Sequence, residues 1–223
     1  MSSDVKDEPE AAGEGQPLRR LPRGRHNLPA SVVRASQRER LLEAMLANVA
    51  EHGYEATTVP QVVATAKVSR NAFYELFSDK ADCFLAVCDE LATDVLDNIA
   101  NPAQDEWRAA LRAGTARYLR WWQDRPAFSR TYFVELPSAG ARAVAQRDRQ
   151  YERFRELFDG IAAWARIQEP GLPSVGPLAS RAIVLAVTEL IAEEVRAGRV
   201  GRLVELEDDV VALITLLLTG GAA

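Results

Sequence analysis

Between Thr58 and Phe77 the chain reads T-V-P-Q-V-V-A-T-A-K-V-S-R-N-A-F-Y-E-L-F, and no other stretch restricts the fold so tightly. Thr58 with Gln61 has the form of a capping box, and Pro60 sits in the first turn, where a missing N–H costs little. The helix it opens is short and runs to about Ala66. Ser69 can cap a following helix through Phe77. Two short helices joined by a tight turn form a helix-turn-helix. The helix before them begins in a second box, Ser36 with Glu39, carries Leu41, Leu42, Met45, Leu46 and Val49 at helical spacing, and stops at Gly53. Val62, Val63, Val68, Phe73 and Phe77 then pack the pair against Leu42, Met45 and Val49. In a DNA reader of this shape, the second helix crosses the phosphate backbone. The third enters the major groove by its N-terminal end. Spacing alone also fits a small three-helix core with no DNA partner.

The remaining punctuation is helical as well. Ser78, with Asp79 and Asp82 in the favoured acidic first turn, opens a helix to about Ala100, closed by Asn101-Pro102. Further helices are expected near 105–124, 127–135, 138–168, 177–197 and 205–219, broken by prolines and by the loop 169–176. No segment alternates like a strand. The expected class is all-α, with about nine helices.

Charge and composition narrow the function. The 223 residues carry a formal net charge of −5, which excludes binding to nucleic acid by bulk positive charge but not through a local patch. The charge is uneven. Residues 1–15 form an acidic, tail-like stretch, whereas residues 16–40 hold seven arginines against Glu39 alone. Two cysteines, Cys83 and Cys88, exclude a disulfide scaffold, and with His26 and His52 as the only histidines no metal site is expected. No apolar run approaches membrane-spanning length; the longest, 210–218, follows Asp208-Asp209. No targeting signal is visible, so a cytoplasmic protein is expected.

The residues Gly53-Tyr54, Thr57-Thr58-Val59, Val68-Ser69-Arg70, Phe73-Tyr74 and Phe77-Ser78-Asp79-Lys80 resemble the DNA-binding domain of TetR-family transcriptional regulators. The markers fall in the family's order and spacing over residues 36–85. Three positions depart from it. Lys67 replaces a turn glycine, at a position of positive φ where lysine is strained but can reach a phosphate. Ala72 and Leu76 stand where the family often has threonine and histidine, so two polar DNA contacts are expected to be missing.

Chemistry and resemblance together assign the DNA contacts. Thr58, at a helix N-terminus, suits a phosphate. Ser69 caps the third helix and can also touch phosphate. Arg70 and Asn71 occupy its first exposed turn, where Arg can pair with guanine O6/N7 and Asn with adenine N6/N7. A phosphate contact from Arg70 is the plainer alternative. The resemblance implies phosphate contacts from the Tyr74 hydroxyl and from Lys80. Ahead of the domain, Pro22-Arg23-Gly24-Arg25 resembles an AT-hook core. Arg23 and Arg25 either enter an adjacent minor groove or belong to a solvated linker.

The C-terminal part reads as dimer interface plus pocket. The helix near 178–197 is apolar on more than one face, and the last helix is apolar all round, unlike the single stripe of a monomer's outer helix. Two such helices fit a homodimer, which the resemblance also implies and which matches a palindromic operator on double-stranded DNA. A single buried helix in a monomer is the other reading. Aromatic residues concentrate in the middle of the chain: Trp107, Tyr118, Trp121 and Trp122, then Phe128 and Tyr132, then Tyr151 and Phe154. Most belong to a core, but Gly114 leaves space in mid-helix. The resemblance implies a pocket for a small-molecule effector, here apolar or aromatic. Arg142, Arg147, Arg149, Arg153 and Arg155 are expected on a solvated face.

The domains expected are a tail and arm over 1–33, the helix-turn-helix domain over 34–82 and a regulatory and dimerisation domain over 83–223. No nucleophile set, phosphate-cradling loop or ligand cluster marks an enzyme, and no cofactor is expected. The function implied is a sequence-specific transcriptional regulator, a repressor released by its ligand. A helical protein-interaction adaptor is the rival. It has no need of a basic 16–82 segment or of Arg70, Tyr74 and Lys80 on one surface.

Overall fold

A computed structural model describes residues 29–99 and 104–221. The acidic tail and the arm with Arg23 and Arg25 lie outside the described residues. Within them the chain forms nine α-helices and no strand. These are α1 (Ala30–His52), α2 (Val59–Ala66), α3 (Arg70–Leu76), α4 (Lys80–Ile99), α5 (Trp107–Gln123), α6 (Pro126–Arg130), α7 (Ala141–Gln168), α8 (Leu178–Arg196) and α9 (Glu207–Thr219).

Helix α1 begins six residues before the expected Ser36 box. Pro29 precedes its first residue, and no side chain caps it. Ser36 is therefore an interior residue, and its carbonyl accepts from Arg40 Nε. The start of α4 differs in a smaller way. Asp79 Oδ1 accepts the Asp82 N–H at 2.7 Å, so Asp79 does the capping, while Ser78 donates its N–H to Asp82 Oδ2.

The buried faces of α1 and α4 enclose the helix-turn-helix. Leu41, Met45 and Val49 of α1 are fully buried with Val62, Phe73, Cys83 and Phe84. Buried Asn48 clamps α1 to α2, donating to its own helix at Ala44 O and across to Thr65 Oγ1 at 3.0 Å. Helix α4 continues out of this core. Its Ala92 and Val95 are buried in the second helical layer, formed with α5, α7, α8 and α9. One helix is thus shared by both packing units, and the expected boundary at residue 82 falls near its start.

Two buried amides fasten α7 to α4. Gln146 Nε2 donates to Leu85 O at 2.6 Å, and Gln150 Nε2 donates to Cys88 O at 3.2 Å. Of the α7 arginines expected on a solvated face, Arg142, Arg149 and Arg153 are exposed, and Arg147 and Arg155 are part-buried. Arg142 pairs with Asp79 at 2.8 Å and lies 3.7 Å from Asp82, and Arg147 lies over the Tyr151 ring.

Two connections depart from the expected helices. The segment expected as one helix over 127–135 divides into α6, a π-helical turn over Thr131–Glu135 and a 3-10 turn over Leu136–Ala139. A 3-10 segment over Val200–Leu206 leads into α9, and its Val204 N–H donates to Gln123 Oε1.

Candidate DNA interface and effector cavity

Helices α2 and α3 are joined by a turn whose hydrogen bonds define a helix-ending motif. Val68 N–H donates to Val63 O at 3.1 Å, and Lys67 N–H donates to Ala64 O at 3.3 Å. Lys67 takes the left-handed position, with φ 54° and ψ 44°, and is the non-glycine residue with positive φ among the described residues. Val63 and Val68 are both part-buried against the core. That apolar contact holds the turn in a conformation lysine does not favour by itself.

Both caps form as the sequence implies. Thr58 N–H donates to Gln61 Oε1 at 2.8 Å, and the Thr58 hydroxyl accepts from Gln61 N–H. Ser69 Oγ accepts from Ala72 N–H at 3.1 Å. The neighbouring Thr57 is buried, and its hydroxyl donates back to Gly53 O. Of the two threonines, only Thr58 is exposed.

The caps, the turn and α3 put Thr58, Lys67, Ser69, Arg70, Asn71 and Tyr74 at the surface. Tyr74 is 47% exposed although it is a large aromatic residue, and the Arg70 guanidinium lies 5.6 Å from its ring centre. Phe73, one position earlier, is fully buried and meets Tyr74 edge-on. Ala72 and Leu76 point inward: Ala72 is buried, and Leu76 packs against the core. The small and apolar residues at these positions are packing residues, which is why no polar side chain stands there.

Lys80 is placed differently from its neighbours. Its ammonium donates to Tyr54 O at 2.8 Å and Glu55 O at 3.3 Å, and lies 4.2 Å from the Tyr54 ring centre. Partial burial holds the ammonium below its usual pKa range, against the opposing pull of Glu55. It staples the α1–α2 corner to the start of α4. Tyr54 also donates its backbone N–H to Glu135 Oε2 at 2.9 Å. No local pattern links Tyr54 and Glu135, so this contact has no signature in the sequence.

A cavity of about 390 Å³ opens between α4, α5, α7, α8 and α9. Of the eight aromatic residues expected to line it, Tyr118, Trp122, Tyr132, Tyr151 and Phe154 do so. Trp107, Trp121 and Phe128 do not. Trp107 closes the end of the bundle, with its Nε1 donating to Glu169 Oε1 at 2.7 Å. Trp121 lies one helical step from Trp122 and turns toward the Arg125 guanidinium and Phe128. Phe128 borders a separate groove between α1 and α4. The cavity wall also takes Val95 and Ile99 from α4, Val184 and Thr188 from α8, and Ile214 from α9, which single-helix aromatic patterns do not reveal. Gly114 lies in this wall, where an added Cβ would meet only Ile99 O, at 4.0 Å.

Burial raises the Tyr118, Tyr132 and Tyr151 phenols above their usual range, so all three stay protonated. The Trp122 N–H comes close enough to the Tyr118 oxygen to oppose its rise. Yet among the described residues Trp122 Nε1 meets no acceptor at hydrogen-bond geometry.

The profile described as "Bacterial regulatory proteins, tetR family" matches residues 41–87, from the core of α1 into α4. The HTH-type transcriptional repressor AcnR of Corynebacterium diphtheriae is 34% identical over 138 residues, covering 56% of this chain and 70% of that relative. The chain belongs to the TetR family. Membership makes it a DNA-binding transcriptional regulator and not an enzyme. Solved TetR-like structures share the fold over most of the chain. The fatty acid degradation regulator FadR of Bacillus halodurans superposes with a TM-score of 0.71 at 18% identity, over 83% of this chain and 99% of its own. FadR of Bacillus subtilis, solved in complex with stearoyl-CoA, gives 0.68 at 16% identity, with the same coverage. Among the described residues no helix of this TetR-family chain is long and apolar enough to cross a membrane, and no cluster of three metal-ligating side chains occurs.

Proposed function

We propose that this chain is a homodimeric cytoplasmic repressor that binds a palindromic operator and is released from it by a small apolar or aromatic effector. The observation that carries the reading is the course of α4. One end packs into the helix-turn-helix core through Cys83, Phe84 and Val87, and the other walls the cavity through Ala92, Val95 and Ile99. A molecule that reshapes the cavity displaces a helix packed on α1, against which α3 rests.

On the DNA side, Arg70 and Asn71 read base edges from the first turn of α3, while Thr58, Lys67, Ser69 and Tyr74 fix phosphates. Lys80 acts there by holding the α1–α2 corner and reaches phosphate only by giving up its carbonyl partners. Arg23 and Arg25 add affinity from the adjacent minor groove. The division that goes with this reading is an acidic tail and basic arm over 1–33, a DNA-binding unit over 34–82 and a regulatory and dimerisation unit over 83–223.

The dimer forms through α8 and α9. Leu178, Leu185 and Leu190 of α8 and Leu216 of α9 are 72%, 47%, 37% and 56% exposed, too much apolar surface on two adjacent helices to favour solvent. A twofold partner covers this surface and sets two α3 helices against two half-sites. Repression is supported by the name of the AcnR relative. An effector acts by binding the DNA-incompetent arrangement more tightly than the competent one.

Selection of bound duplexes from a random-sequence pool tests the reading. A palindromic consensus is expected, with half-sites one helical turn apart or a multiple of it. Recovery of no consensus would count against sequence-specific binding.

A further inference from the structure

The cavity's polar groups restrict the charge of its occupant. Among the described residues its lining contains no lysine, arginine or histidine, and the carboxylic acid in it, Glu156, is exposed. Its phenols stay protonated at neutral pH. Tyr132 is already engaged, donating its hydroxyl to Gln150 Oε1 at 2.9 Å, and Gln150 is held in turn by Cys88 O. Trp122 differs from these. It is 1% exposed and packed among Trp121, Tyr132 and Phe133, with ring centres 4.7 to 5.1 Å away. Its N–H has no acceptor at hydrogen-bond geometry among the described residues, the Tyr118 oxygen being near but not so placed. A buried donor left unpaired is costly, and a ligand oxygen that meets it recovers that cost.

We infer that the effector is an uncharged, largely apolar molecule with a carbonyl or ether oxygen that accepts from Trp122 Nε1. The inference rests on the effector-cavity reading above and narrows it. A carboxylate or phosphate placed here meets no cation of the lining itself, because Arg147, which lies over the Tyr151 ring, is paired with Asp148, and the charge within the lining is Glu156. Such a group must shed its water without compensation. Acidic metabolites and coenzyme thioesters with their phosphates inside this cavity are thereby excluded as occupants. Volume agrees, since about 390 Å³ lies at the small end of ligand pockets.

Three probes of one shape test this by calorimetry on the purified full chain at pH 7.5: 2-acetylnaphthalene, 2-ethylnaphthalene and 2-naphthoate. A matching aliphatic series of 2-decanone, decane and decanoate guards against a shape mismatch. The ketones are expected to bind about five-fold more tightly than the hydrocarbons, the value of one buried hydrogen bond. The carboxylates are expected to bind at least about ten-fold more weakly than the ketones. Trp122→Phe should close the gap between ketone and hydrocarbon, and Gly114→Leu should fill the cavity and weaken both. Carboxylates binding as tightly as ketones, or ketones no better than hydrocarbons, would overturn the inference and leave the cavity reading intact. If no probe of either series binds, or if Gly114→Leu binds like the parent, the effector-cavity reading itself fails.

Discussion

Glu135 accepts the backbone N–H of Tyr54 at 2.9 Å, joining two residues 81 positions apart in the chain. The contact ties the end of the π-helical turn over Thr131–Glu135 to the corner between α1 and α2. Three residues earlier in that turn, Tyr132 stands in the cavity wall. Lys80 grips the same peptide unit region from the other side through Tyr54 O. The fit is close: a Cβ on Gly53, whose φ is +81°, would lie 3.3 Å from Glu135 Oε2. Cavity and DNA-binding unit are therefore joined by a second route besides α4, and π-helical turns often mark functional positions.

Glu135→Ala leaves the Tyr54 N–H without its acceptor, at a residue only 8% exposed. Unfolding in urea should show a loss of about 1–3 kcal/mol. Operator affinity should fall while cavity-probe affinity stays within about two-fold, as a coupling residue outside the cavity requires. Glu135→Gln, which keeps an acceptor oxygen, should recover most of both losses. Unchanged operator binding in the alanine variant would remove this contact from the coupling route.

Lys67→Gly separates strain from binding. Relief of the left-handed backbone should stabilise the fold by about 1 kcal/mol. The same change removes an exposed cation beside Ser69 and Arg70. Operator affinity should fall, and the slope of log K against log salt should become shallower by about one unit. A stable variant with an unchanged salt slope would mean that Lys67 does not meet phosphate.

The two cysteines give a pH signature. Burial pushes the Cys83 thiol up to about 12 and the Cys88 thiol further still. Because the folded pKa values are raised, the stability these thiols contribute is complete below the unfolded pKa of about 8.5. It is lost as the pH climbs from there toward 12. The alkaline limb of the stability curve should therefore be flatter in a Cys83→Ala/Cys88→Ala variant. A thiol reagent at pH 8 should label neither cysteine in minutes, and both upon unfolding. Rapid labelling of the folded chain would contradict the packing of α4.

Charge on the exposed apolar strip should break the dimer. Leu185→Glu with Leu216→Glu adds no buried charge to a monomer, since both side chains are about half exposed. Sedimentation should show half the parent's mass with the helical signal retained. Retention of the parent's mass would place the interface elsewhere.

Much of the fold was legible because helix signals are local. The Thr58 and Ser69 caps, the turn at Lys67 and the buried Phe73 and Phe77 all follow from spacing over a few residues. The Ser36–Glu39 box misled because a capping pattern inside an amphipathic run is satisfied equally well by an interior serine, and α1 simply continued back to Pro29. Contacts made across the fold left no local trace. Lys80 on Tyr54 O, Glu135 on Tyr54 N–H and Arg142 on Asp79 each depend on helices brought together by packing. The cavity was half legible for the same reason. Helical spacing located Trp107, Tyr118, Trp121 and Trp122 near one face of α5. Which of Trp121 and Trp122 faces the cavity was set by the rotation of α5 against α4, α7 and α9.

The most direct test is fluorescence anisotropy of the purified chain on the selected operator and on an unrelated duplex across a salt series. An Arg70→Ala/Tyr74→Ala variant is measured alongside. Both side chains are exposed, and Tyr74 meets the core only at Phe73. The parent should prefer its operator by at least about 10³-fold, and its affinity should fall steeply with salt. The variant should lose that preference and keep its thermal stability. Equal affinity of parent and variant for the operator, or no binding by the parent even at low salt, would contradict DNA recognition through α3.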